Sequence, residues 1–452
     1  MKKIVIYFTG LLFIIAASSG YTQKEGYIWY FGNKAGIDFN TTPPTALNDG
    51  DMVQDEGCAS ICDPSGNLLF YTDGISVWNA LHDTMPNGKG MMGHSSGTQS
   101  GVIVPNPGNS DEYYLFSVPD NMDMVYYSMV DMTMEGGLGD IDPARKSIPL
   151  YPPGVMTTQK ISAVRHANNN DIWVISHQKA ADTFYVHLIT NSGIALDHTE
   201  KIGSVHTKLK GYLKVSSDGT KLACAISENN RVELYDFNAS TGEISNLTTF
   251  SNIYSGGNPT YGDPYGIEFS PDASKLYVSE RFCNGRIYQY DLSSGPPYSS
   301  TLIATHGTGF GSGVGALQLA PDGKIYVSVP GDSLSVINEP DLAGAACDIQ
   351  IRSFYLNGAS AYEGLPTFIQ TYFELPVDLV EFTGSMINNT VQLQWITASE
   401  ENSDYFIVEK SRNSIDFETL CRVNAAGNSR CRMTYHATDE NPYYDITYYR
   451  LK

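Results

Sequence analysis

The stretch YGIEFSPDASKLYVSERFCNGRIYQYDLSSG, residues 265–295, decides the fold. It reads as an apolar run, a polar turn, a second apolar run and then a third strand. In that third strand Arg286-Ile287-Tyr288-Gln289-Tyr290 alternates polar and apolar side chains, the period of β-structure with one buried face. The turn carries Asp272, a residue that tolerates left-handed backbone and hydrogen-bonds it locally. The same unit recurs in GYLKVSSDGTKLACAISENNRVELYDFNASTG (211–242) and GALQLAPDGKIYVSVPGDSLSVINEPD (315–341), and more weakly over 57–79, 100–133 and 160–193. A spacing of roughly 45–60 residues falls in the range of propeller blades. One such unit cannot bury both faces of its own sheet, so copies must stack.

Two fragments complete each other. YIWYFGNKAGIDFN (27–40) reads as second and third strands without a first, and GLPTFIQTYF (364–373) as a first strand without followers. Joined, they supply a further blade and remove the exposed sheet edges of an open array. The expectation is an all-β chain with a seven-bladed β-propeller over 24–374, its first blade closed by a strand at 364–373. An open β-solenoid is the alternative. Beyond the linker Glu374-Leu375-Pro376, six strands are predicted near 377–384, 390–396, 404–411, 416–423, 432–438 and 445–451. Val391, Leu393, Trp395 and the Tyr448-Tyr449-Arg450-Leu451 run have the spacing of a fibronectin type III-like sandwich. Its usual seventh strand is missing, so 377–452 is predicted to be a truncated sandwich with an unpaired edge.

The 452 residues hold 28 Lys and Arg against 49 Asp and Glu, a formal charge of -21. That balance argues against nucleic-acid binding, which needs clustered cations. The opening MKKIVIYFTGLLFIIAASSGYTQ has a positive end, an apolar run and a small-residue stretch, the pattern of a signal peptide over 1–22. No other stretch approaches membrane-span length, so the mature chain is expected to be exported, without a membrane span. Among seven cysteines, Cys58 and Cys62 in one strand would stand ~13 Å apart, too far to bond. Cys421 and Cys431 flank a Gly-Asn turn and are a candidate pair; the others read as small buried hydrophobes.

The segments EGYIWYFGNKAGIDFN (25–40), DEGCASICDPSGNLLFYTDGISVWN (55–79) and MPNGKGMMGHSSGTQSGVIVPNPG (85–108) resemble a family of secreted Bacteroidetes proteins. LPVDLVEFTG followed by VQLQWITASEENSDYFIVEKS, within 375–411, is similar to the module found just before a type IX secretion sorting domain. The resemblance implies export across both membranes, with surface attachment or release directed by that domain. The sequence given ends ahead of any sorting domain, which suggests a truncated product. FSPDASKLYVSE (269–280) resembles the YVTN-type repeats shared with lactonase-type propellers.

Catalytic motifs such as GxSxG, HExxH, GxxxxGK[ST] and paired CxxC are absent. His166, His177 and His187 are spaced 11 and 10 apart, which does not make a local metal set. His94, in a Gly- and Ser-rich loop at 93–100, is a ligand-loop candidate. The Asp218, Asp272 and Asp322 turns are assigned to turn geometry. Residues just before each innermost strand converge at a propeller's channel mouth. Here these are Glu56, Ser100, Lys160, Tyr265 and Glu363, with Gly211 and Gly315 at the equivalent spots. Such a set suits a sugar or a cation such as Ca2+, or acid–base chemistry; an ordinary water-filled polar lining is the alternative. The sequence therefore reads as a secreted or surface, non-enzymatic scaffold for a glycan, peptide or surface protein. The alternatives are a lactonase-like or glycan-cleaving enzyme using a divalent cation at the mouth, and a structural envelope component.

Overall fold

The computed structural model describes residues 3–6, 24–120, 124–227, 230–251, 263–281, 285–307, 313–373, 377–387, 390–412, 417–429, 432–444 and 446–451. Two compact units divide the chain, one ending at Phe373 and the other running from Glu374 to Lys452 together with the N-terminal residues. Among the described residues, no helix is long and apolar enough to cross a membrane.

In the larger unit, Ile28–Phe31, Ala35–Asp38 and Thr45–Leu47 form a three-stranded sheet. Six further antiparallel sheets follow in chain order, over 59–89, 101–149, 157–201, 213–251, 263–305 and 317–355. All have four strands except the second, which has five. The Asp turns form as predicted. Asp218, Asp272 and Asp322 each accept a hydrogen bond from the backbone N–H two residues on, at 3.0, 2.8 and 3.3 Å. The residue after each Asp is left-handed, glycine at 219 and 323 but Ala273 at φ 55°, a conformation that costs an alanine about 1–2 kcal/mol.

Burial runs from the inside of each sheet outward. Asp263–Phe269 is buried at every position, whereas the outer strand Gly193–Lys201 is largely open. First strands pack on one another in order, 59–62 on 101–106, then 157–165, 213–215, 263–269 and 317–319. The segment 360–367 closes the series. Ala316 donates its N–H to Glu363 O at 2.7 Å, and Thr367 donates to Cys58 O at 2.8 Å. Asn33 and Ser360 exchange backbone hydrogen bonds on the same seam. Sheets wound into a closed ring around their first strands make a β-propeller.

The closing segment itself differs from expectation. Residues 364–373 form no ladder beyond a single parallel bridge, Cys58 to Pro366, and end in a 3-10 turn at Gln370–Phe373. Pro366 has no N–H to give a ladder. Gly364 is also pressed so close that a Cβ would lie 1.6 Å from Glu56 O. Packing holds the seam instead: Trp29 meets Phe39, Tyr326 and Phe368 at ring-centroid distances of 4.9, 5.7 and 5.7 Å. Each such aromatic pair adds about 0.5–1.5 kcal/mol beyond the area it buries.

The smaller unit has one six-stranded sheet. Where two strands were expected at 390–396 and 404–411, Thr390–Ser411 is continuous. Its first half pairs with Val377–Ile387 and Met433–Asp439, and its second half with Phe417–Ser429 and Ile446–Leu451. Register shifts between Glu400 and Tyr405 let the one strand serve both sets of partners. Trp395 stacks on Tyr435 at 5.5 Å within a core that includes Phe382, Phe406 and Tyr449. Lys3–Ile6 runs parallel to Ile446–Tyr449; positions 7–22 of the predicted leader lie outside the described residues. Cys58, Cys62, Cys224, Cys347 and Cys421 carry free thiols, and Cys431 lies outside the described residues.

Candidate functional site

Glu56 lies on the connection leading into Ala59–Cys62, and its side chain is only 2% exposed. Donors from four elements reach it. Oε1 accepts from Arg281 Nη2 and Ser96 Oγ, both at 3.0 Å, and from Lys210 Nζ. Oε2 accepts from Tyr265 OH at 2.7 Å and Thr98 Oγ1 at 3.4 Å. Arg281 also reaches Glu363 Oε2 at 2.5 Å, and its guanidinium sits 4.7 Å from the Tyr265 ring centre. Burial pushes the Glu363 carboxyl up from its ordinary value, against the opposing pull of Arg281.

The structure thus brings together three of the predicted mouth residues, Glu56, Tyr265 and Glu363. The other two stand apart. Ser100 Oγ donates to Asp73 O at 2.8 Å and accepts from His94 N at 3.1 Å, so it pins the 93–100 loop. Lys160 is buried, with its ammonium on Leu209 O and Lys210 O at 3.0 and 2.8 Å. It belongs to the seam between the 157–201 and 213–251 sheets, where burial lowers its pKa to about 8. His94 is about half exposed; its Nδ1 accepts from Ser96 N at 3.0 Å and lies 3.7 Å from Asp120 Oδ2.

Lys210, Arg281, Ser96 and Thr98 were missed. Lys210 had a signal, since it precedes Gly211, already placed at the mouth. Arg281 ends a second strand, Lys275–Arg281, and a reading that took one residue before each first strand could not find it.

Below this cluster the axis is filled rather than open. Gln99 Oε1 accepts from Ile161 N and Leu213 N at 3.2 and 2.9 Å. Gln159 Oε1 takes the N–H of Thr98 at 3.0 Å and shares the single Thr98 hydroxyl proton with Glu56 Oε2, the Gln159 oxygen being the nearer at 3.0 Å. Further along, Lys214 Nζ donates to Glu268 Oε2 at 2.6 Å and Gln318 Oε1 at 2.5 Å. Buried polar groups must find partners, and here they find one another across the ring. The predicted mouth is a cross-linked plug whose outer side offers a rim of His94, Asp120, Lys210, Arg281 and Glu363.

Chemically, the surroundings of Glu56 form a nest for a carboxylate. Its five donors include two cations, so the arrangement does not fit a divalent ion there. Among the described residues, no three His, Cys, Asp or Glu are grouped to hold a metal.

No family model and no curated protein matches the chain. Solved structures do align with it. A proposed 6-phosphogluconolactonase from Bacteroides fragilis NCTC 9343 is 12% identical, over 77% of this chain and 99% of that one, with a TM-score of 0.46. The Cps50 (Swd1) β-propeller domain of Myceliophteria thermophila is 13% identical over 68% and 94%, with a TM-score of 0.41. A luciferin-regenerating enzyme is 15% identical over 72% and 97%, with a TM-score of 0.39. At these values the chemistry of those proteins is not carried over, and the ring of sheets stands on the chain's own geometry.

Proposed function

We propose that this chain is an exported seven-bladed β-propeller whose mouth face is a non-enzymatic binding surface for a glycan, peptide or surface protein. One observation carries the reading: both oxygens of the central carboxylate, Glu56, are engaged by protein donors. A general base or a metal ligand needs a free lone pair directed at its substrate or ion. Glu56 instead holds neighbouring connections in place, which suits a preorganised rim. The blade count is supported by the three-stranded sheet joining the six others at the 360–367 seam.

The test is a glycan and peptide array probed with the full chain and with His94→Ala and Glu363→Gln. Binding that weakens about tenfold or more in the rim variants supports the scaffold. Retention of no glycan or peptide by the wild-type chain overturns it. A second reading, catalysis at the mouth, has Glu363 in its favour, a partly exposed carboxyl with a raised pKa. It predicts lactone or glycoside hydrolysis that Glu363→Gln abolishes. The scaffold reading predicts none, and also no shift in thermal midpoint on adding calcium.

A further inference from the structure

A second buried polar cluster lies between the 157–201 and 213–251 sheets, outside the mouth. His177 is the penultimate residue of the strand Ile172–Gln178, and His206 sits on the connection 202–212. Their rings stack with centroids 3.5 Å apart and planes 17° from parallel, and both residues are fully buried. Phe184 meets the His177 ring edge-on at 4.6 Å.

Hydrogen bonding fixes the tautomer of each neutral imidazole. His177 Nδ1 stands 2.8 Å from Gln178 O, so that nitrogen bears the proton. His206 Nε2 stands 3.4 Å from Glu233 Oε2, so there the proton is on Nε2. The remaining nitrogens, His177 Nε2 and His206 Nδ1, are buried and meet no hydrogen-bonding partner among the described residues. A second proton on either ring would therefore enter a site without an acceptor, face to face with its neighbour. The charges around the pair do not compensate. Lys160 faces it from Thr157–Arg165, and Arg231 and Glu233 from Arg231–Phe237; the Cys224 thiol on Lys221–Ile226 faces Lys160 and Glu233 in turn. Among the described residues Glu233 is the carboxylate that acts on the pair, and it already accepts from Tyr235 OH at 2.6 Å and Ser204 N at 3.1 Å.

The pair also holds the chain. His206 exchanges backbone hydrogen bonds with the turn beside His177, its N–H to Ala181 O at 3.0 Å and Ala180 N–H to its carbonyl at 2.8 Å. Gln159 N–H holds Leu209 O at 3.1 Å on the same connection. Next along it comes Lys210, the ammonium that ion-pairs with Glu56.

We infer that His177 and His206 form an acid-released latch, which keeps the 202–212 connection docked while both rings are neutral and frees it, with Lys210, when the pair takes up a proton. Burial favours the neutral rings, lowering His177 from 6.5 to about 2 and His206 to about 4. Because these values are depressed, the stabilisation is fully present above about 6.5 and is lost progressively below it, down to about 4 for His206 and about 2 for His177. The consequence for ligand binding rests on the scaffold reading; the latch itself is measured without ligand, so the two fail separately.

The experiment is amide hydrogen exchange on the full chain between about pH 6.5 and about pH 4.5, corrected for intrinsic exchange. Opening of 202–212 should rise about tenfold per pH unit for each proton taken up, while Asp263–Phe269 stays protected. His177→Phe keeps a ring in the stack and His206→Gln removes the imidazole from the connection; each should flatten that slope. A slope shared by the whole ring, or one unchanged in both variants, overturns the latch. Should either variant fold poorly, imidazole NMR of the wild type decides: rings titrating near 6.5 while 202–212 stays protected also overturn it.

Discussion

Glu56 shows how far a single carboxylate can organise a fold. Breaking a buried ion pair by removing one partner costs about 3–5 kcal/mol, because the stranded charge stays desolvated. Glu56→Gln leaves Lys210 without its carboxylate and Arg281 with Glu363 alone, so a denaturant midpoint should report a loss at the lower end of that range. Elsewhere, Asp341 accepts Asp272 N–H at 3.1 Å, and burial together with the Asp272 carboxylate pushes its pKa up to about 7. The folded state then holds a proton that the unfolded state sheds above about 3.8. Stability from this group is present at low pH and lost as pH rises through about 7. Asp341→Asn should flatten that part of the stability–pH curve and raise the melting temperature at alkaline pH. Glu56, Tyr265 and Glu363 were legible as neighbours because they hold matching positions in their repeats, although Tyr265 lies within the strand Asp263–Phe269 and Glu363 leads into a segment with no ladder beyond a single bridge. Which donors would close on Glu56 was not, since Arg281 arrives from 225 positions away in the chain.

At the scale of strands and turns, local chemistry was legible wherever it is repeated. The Asp turns at 218, 272 and 322 appear as read, because turn chemistry is a short-range property; the polar-out alternation at 286–290 does not, since Gln289 is buried on Tyr277 OH and Leu342 O. The closing segment and the continuous strand at 390–411 were not legible, because each depends on what packs against it. Pro366 and Gly364 give 364–373 the composition of a close-packed strap, visible once Glu56 O is known to lie against Gly364. Gly364→Ala places a methyl in that contact, with backbone rather than a flexible side chain opposing it. The expected outcome is a loss of about 1–3 kcal/mol or more, as overpacking produces. Limited proteolysis should show it as faster cutting within 360–373 than elsewhere in the ring.

For the molecule as a whole, the order of the sheets followed from counting repeats, whereas the filling of the axis did not. Composition says how many polar residues there are, not that Gln99 would meet the backbone of Ile161 and Leu213, Gln159 meet Thr98, and Lys214 meet Gln318. The seam carries a further consequence. Glu25, near the start of the ring, lies 3.9 Å from Arg165, and the same guanidinium sits 5.5 Å from the centre of the Tyr372 ring, near its end. Both ends of the ring thus rest on one residue of a distant sheet, and backbone connectivity at that place is separable from the architecture. A circular permutant of 24–373, its old ends joined by a short flexible linker and new ends opened in the exposed turn at Asn169-Asn170, should fold. Its thermal unfolding should remain cooperative and close to that of the unpermuted 24–373. Loss of a cooperative transition would mean that chain order, and not only the ring of contacts, specifies this propeller.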